Sequence, residues 1–259
     1  LCSALLPGPG AHAFFAEGAG DRNIERGRSM YRALTAAALR GDWRRFDELR
    51  ATLDNYHLAS YADYQRLMVR LRDTRGSEAR AFVDAHDLSP LGVRYLGHYL
   101  DATGRDRRWG DLLAAAEREP RSEKLRCYYA RAKRGRGQEQ EAWELASRLF
   151  LSGTSVDKAC DPLFRLWREQ GGPGEALLWA RAKLAFRARE GGLLRYLASL
   201  GGPAEAMDAL QRTYREPQRA PALARTLSAP YRAEVLELGN RSSHRISPRE
   251  RFWSGDRPT

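Results

Sequence analysis

Residues 125–170 read LRCYYARAKRGRGQEQEAWELASRLFLSGTSVDKACDPLFRLWREQ, and the spacing of apolar residues within this stretch decides the fold class. Ala142, Leu145, Ala146, Leu149 and Phe150 recur at i, i+3, i+4, i+7 and i+8, which places them on one face of a helix. Cys160, Leu163, Phe164 and Trp167 repeat that stripe one helix later. Gly135, Gly137 and the pair Ser152-Gly153 supply the breaks between helices. The spacing predicts three helices, near 122–133, 138–151 and 156–170. Their apolar stripes can be buried only against one another and against neighbouring helices.

Outward from this stretch the same grammar recurs. Towards the N-terminus, Met30, Leu34, Ala37 and Ala38 lie on a helix from Ile24 to Arg40 that stops at Gly41. Asp42 is placed to cap the next helix, which carries Trp43, Phe46, Leu49 and Leu53. Tyr56, Tyr61 and Tyr64 stud the start of a third, running on through Leu67, Met68 and Leu71. Ser89-Pro90 reads as a cap followed by proline at the first helical position, leading into Leu91, Tyr95, Leu96, Tyr99 and Leu100. Arg108-Trp109 before Leu112-Leu113 echoes Asp42-Trp43 before Phe46, so it marks the same place in a hairpin. Beyond residue 170, Ala176, Leu177, Ala180, Leu184 and Ala188 suggest one more apolar face, and Leu223 to Leu236 a last one interrupted at Pro230. The expected architecture is all-α: an α-solenoid, or superhelical array of helical hairpins of loose period. It should occupy 14–238, with no periodicity in the tail 239–259.

Composition agrees and narrows the function. Ala, Leu, Arg and Glu dominate, which favours helices. No run approaches the ~20 apolar residues of a membrane span. The 259 residues carry a formal charge of +11, a bias towards acidic partners. The excess is almost all Arg, scattered along every helix, and no basic block interleaved with aromatics stands out. Solvated helix faces explain it better than a nucleic-acid surface, so no nucleic acid is expected as a partner. Residues 1–13 read as the back half of a secretory signal: an apolar start from Leu1 to Leu6, then Ala11-His12-Ala13 before Phe14. Cys2 lies inside that segment, leaving Cys127 and Cys160. An even count is compatible with one bridge in an oxidising compartment, and equally with two buried thiols.

The same stretch carries a resemblance. Cys127-Tyr128-Tyr129-Ala130, Gln140-Glu141-Ala142-Trp143, Leu149 to Gly153, and Ala159-Cys160-Asp161-Pro162-Leu163-Phe164 with Trp167 resemble the soluble lytic murein transglycosylases. The likeness is to their N-terminal superhelical, U-shaped domain, and runs from roughly Met30 to Leu210. It implies an exported, periplasmic setting, peptidoglycan glycan strands as ligand, and a catalytic transglycosylase domain as intramolecular partner. In that family one Glu, acting as acid and then as base, cleaves the MurNAc–GlcNAc bond and leaves a 1,6-anhydro-muramic end. The family's catalytic Glu-Ser pair and Gly-Leu-Met-Gln motif do not occur in these 259 residues, so no catalytic residue carries over.

The resemblance also implies a bridge between Cys127 and Cys160. These lie 33 positions apart on the first and third helices of the stretch, which run side by side if the first two form a hairpin. No metal or cofactor is expected, because the five histidines lie far apart and none has a second His or Cys at i+3 or i+4. Glu117/Glu119 and Glu139/Glu141 read as exposed helix charges rather than an acid/base couple. A rival class is a tetratricopeptide-like interaction scaffold, since Gly137, Glu141 and Ala142 fit that repeat too. A regular period of about 34 residues would favour it, and none is found.

Overall fold

Helices pack against helices throughout the computed structural model, which describes residues 11–53, 56, 58–86 and 89–246, with side chains described from 24 to 243. No strand occurs among the described residues, and the fold class is all-α, an array of helical hairpins. Two units divide after Glu117.

The first unit holds α1 (Ala11–Arg40), α2 (Trp43–Ala51), α3 (Ala59–Val69), α4 (Gly76–Ala85), α5 (Pro90–Arg105) and α6 (Trp109–Ala115). Gly41 turns the chain between α1 and α2 at φ 72°, a left-handed conformation that side chains resist. Asp42 caps α2 as expected, its Oδ1 accepting from the Arg45 backbone N–H at 3.1 Å. Leu34, Ala37, Ala38, Phe46, Leu49, Leu53 and Ala62 form the core of this corner. The three alanines matter because small side chains let helix backbones approach closely. The tyrosine series divides: Tyr56 packs on Tyr31, Tyr64 stands edge-on to Tyr95, and Tyr61 is exposed. Packing therefore accounts for two of the three.

Ser89 caps α5 by accepting from the Leu91 N–H, and Pro90 occupies the first turn. Tyr99 is fully buried and donates its hydroxyl to the Thr74 carbonyl at 2.8 Å. Burial pushes its pKa up to about 12, with the Asp111 charge adding to the effect. Arg108 ties α6 to the preceding turn, donating to the Thr74 and Arg72 carbonyls and to Asp111 Oδ2. Asp111 in turn accepts from the Gly76 N–H at 2.8 Å, so one ion pair satisfies backbone groups at the α4 N-terminus and in the turn before it.

The second unit holds α7 (Glu123–Gly135), α8 (Glu139–Phe150), α9 (Asp161–Glu169), α10 (Glu175–Arg187), α11 (Gly191–Ser199), α12 (Ala204–Arg215), α13 (Ala220–Ala224) and α14 (Ala229–Ile246). Every position of the two stripes read from residues 142–167 is buried. The third helix starts later than its expected residue 156. Asp157 instead caps a 3-10 turn, Lys158–Cys160, its Oδ1 accepting from the Ala159 N–H, while its own N–H donates to Glu123.

Three further readings need correction. The α10 face is turned by about two residues, to nearly the opposite side of the helix: Leu178, Trp179, Ala182, Ala185 and Phe186 are buried, whereas Ala176 and Ala188 are exposed. That helix is apolar on most sides, so spacing alone left its phase open. The irregular tail does not begin at 239, because α14 runs on to Ile246. Gly239 sits so close to Ala220 that a Cβ there would collide with it, and this packing carries the helix past the last clear stripe. Pro230 opens α14 rather than interrupting it, since a first-turn residue needs no N–H partner. The proposed leader covers residues 1–10, which lie outside the described residues, and 11–13, where the backbone is helical within α1. The remainder of the expected tail, 247–259, also lies outside them.

Glu234 fastens α14 to α10, accepting from Trp179 Nε1 at 2.5 Å and pairing with Lys183. Burial pushes its pKa up, but hydrogen bonds from Lys183 and Trp179 and the charges of Lys183 and Arg187 outweigh that and hold it below the ordinary value. A depressed carboxylate pKa contributes stability that is complete above the unfolded value of about 4.3 and lost as pH falls through the folded one. Glu234→Gln should therefore cost roughly 0.5–1 kcal/mol at pH 7, a figure reduced for partial exposure. Urea melts of the two proteins should converge between pH 5 and pH 3. A gap that stays constant across that range would remove Glu234 as the titrating group.

Candidate functional site

The second unit encloses a cleft of about 360 Å³ between the end of α8, the 151–157 turn, α9, α10 and α11. Its position follows from a covalent tie. Cys127 on α7 and Cys160 at the head of α9 are joined by a disulfide, their Cα atoms 4.9 Å apart, and both are fully buried. The bridge sets the start of α9 against α7, so that α9 presents Phe164 and Trp167 to Phe150. Both rings stand edge-on to Phe150, at centroid distances of 5.5 and 5.8 Å. Gly153 lets the turn run against α10: a Cβ there would crowd the Leu184 carbonyl.

Phe150 and Phe164 form one wall of the cleft with Val156 and Leu193. The polar lining is Ser155, Asp161, Arg165, Arg168, Arg181 and Tyr196. Three guanidinium groups thus face one carboxylate. Arg165 and Arg168 are exposed, and Arg168 makes one long contact of 3.5 Å to the Tyr196 hydroxyl. Arg181 differs from them. Its residue is only 3% exposed, and its guanidinium carbon lies 4.3 Å from the centroid of the Phe150 ring. A single hydrogen bond of 3.4 Å runs from Nη2 to the Thr154 carbonyl, while Nε has no partner. Burial pulls the Arg181 pKa below its ordinary value, opposed by Tyr196 and Glu123. A guanidinium starts so high that the group stays a cation at neutral pH. Among the described residues none of these three arginines is ion-paired.

The cleft can hold an anion; it has no acid/base pair. The acids singled out by spacing are elsewhere: Glu139 is exposed and the other three are occupied. Glu119 takes hydrogen bonds from Arg126 and Arg148, Glu141 from Lys133, and Glu117 lies 3.8 Å from Arg80. His86 stacks on Phe82 and bonds its carbonyl, and no group of three His, Cys, Asp or Glu is placed to hold a metal ion among the described residues. No helix there is long and apolar enough to cross a membrane. Sequence reasoning missed Arg181. The available signal was a pair of charged residues, Arg181 and Lys183, within the apolar run Leu177 to Phe186, and spacing could not tell which of them the fold would bury.

Comparison with known proteins gives a consistent result. No protein-family model matches the chain. It is 30% identical over 152 residues to the soluble lytic murein transglycosylase of Escherichia coli K12, and equally to that of Salmonella typhimurium LT2. The match covers 59% of this chain and 24% of each relative, so the chain spans about a quarter of their length. Among solved structures, the 70 kDa soluble lytic transglycosylase from E. coli superposes with a TM-score of 0.68 at 26% identity, over 86% of this chain and 37% of that one. An inactive mutant of the lytic transglycosylase Slt from Pseudomonas aeruginosa superposes at 0.67 and 27% identity, over 85% and 36%.

Proposed function

We propose, from the chain's homology to the soluble lytic murein transglycosylases, that it forms a non-catalytic helical portion of an exported, periplasmic peptidoglycan-cleaving enzyme. In this role it holds the glycan strand and docks the catalytic domain that breaks the MurNAc–GlcNAc bond to give 1,6-anhydro-muramic products. The observation carrying the reading is the match itself: it extends over most of the described helices and joins sequence identity to fold. The missing Glu-Ser and Gly-Leu-Met-Gln motifs support a holding rather than a cutting part. A disulfide between buried cysteines supports an oxidising compartment.

The reading is tested with purified sacculi. The chain should co-sediment with them and release no anhydro-muropeptides. Retention should fall steeply as salt rises past ~0.15 M, where the Debye length is ~8 Å, because the charge of +11 is spread over exposed Arg. Release of anhydro products by this chain alone would overturn the non-catalytic assignment. Salt-resistant, sequence-dependent binding to DNA or RNA would overturn the murein assignment.

A further inference from the structure

We infer that the cleft around Arg181 is a binding site for a carboxylate group carried on a short acidic peptide. The inference deepens the proposed function, since peptidoglycan stem peptides would be the source of that carboxylate, and it rests on that reading only for the source.

The argument starts from the cost of Arg181 as it stands. A buried cation without a counter-ion is unfavourable, and stacking on Phe150 offsets only part of that. Its Nε–H is a buried donor with nothing to bond, and its only hydrogen bond is long. The planar fork of a guanidinium matches a carboxylate with two parallel hydrogen bonds, and Arg181 lines the cleft with that capacity unspent. Arg165 and Arg168 on α9 add two exposed cations at the same cleft, raising the local positive potential.

The remaining lining selects among anions. Asp161 disfavours a compact dianion such as phosphate, whereas a single carboxylate leaves room for that charge. Phe164, Val156 and Leu193 offer apolar contact to the carbon skeleton next to the carboxylate, and the Tyr196 hydroxyl can bond a peptide carbonyl. A volume of about 360 Å³ is near the lower end of small-molecule sites, which suits one or two amino-acid residues rather than a sugar chain.

The test uses the whole chain and acetyl-Ala-Glu-Ala as probe, followed by NMR or calorimetry. The same peptide with its carboxyls amidated and inorganic phosphate serve as comparisons. The free acid should bind at least tenfold more tightly than the amide and than phosphate. Arg165→Gln with Arg168→Gln, both exposed positions, should weaken the acid about tenfold without changing the melting temperature. Arg181→Met should abolish binding and melt no lower than the wild type, because a buried unpaired cation is removed. Equal binding of acid and amide, tighter binding of phosphate, or no binding of the acid at millimolar concentration would overturn the inference. So would an Arg181→Met protein that melts lower while the double variant binds normally, since Arg181 would then be structural. Sacculus co-sedimentation separates the two levels. Binding of the acid without sedimentation leaves the cleft standing and defeats the murein reading, and sedimentation without acid binding does the reverse.

Discussion

Replacing Cys127 and Cys160 together by alanine is expected to destabilise the second unit by about 3–4 kcal/mol. The bridge closes a loop of 33 residues, and cutting it returns that loop's conformational freedom to the unfolded chain. The loss is a large share of the ~5–15 kcal/mol a domain commonly has. At about 2–4 °C per kcal/mol for a chain of this size, the melting temperature should fall by about 10 °C. Alanine is the better replacement because both sites are fully buried, and a serine hydroxyl there would need a partner. Reductant should lower the wild-type melting temperature by a similar amount and leave the double variant unmoved. If reductant shifts both proteins equally, the bridge is not the source of the stability. The cleft should suffer as well, because the bridge sets α9, and with it Arg165 and Arg168, against α7.

Phe150→Ala is expected to cost about 3–5 kcal/mol, the range for emptying a fully buried aromatic site. Phe150 is only 2% exposed. Its ring touches Phe164, Trp167 and the Arg181 guanidinium, so α8 loses contact with both α9 and α10 at once. Phe150→Leu keeps most of the volume and should cost about 1–2 kcal/mol. Urea unfolding checks both. The midpoint should move with little change in slope, since the surface exposed on unfolding is nearly unchanged. A loss below about 1 kcal/mol for the alanine variant would mean that neighbouring side chains collapse into the space, and that the wall of the cleft is soft.

The parts of the fold legible from sequence are those set by local physics. The stripes Ala142 to Phe150 and Cys160 to Trp167 follow from the 3.6-residue turn, and their burial needs only that some partner exist. Asp42 and Ser89 act within three residues of themselves, so their caps were readable without any tertiary knowledge. The pairing of Cys127 with Cys160 came from a resemblance and from helix order.

What remained hidden depends on contacts far apart along the chain. The phase of α10 was undetermined because apolar residues cover most of its circumference. Only packing with Glu234 and Tyr231 on α14 and with Tyr214 on α12 chose Trp179 and Phe186 for the inside. The continuation of α14 past Gly239 likewise depends on Ala220 standing opposite, a contact no local pattern announces. Arg181 is the clearest case. By itself an arginine between Ala180 and Ala182 is an ordinary surface helix residue. It becomes an unpaired buried cation only when α8, the 151–157 turn, α9 and α11 close round it. Periodicity specifies a helix and one apolar side; which polar group is stranded inside is decided by the elements that arrive to cover it.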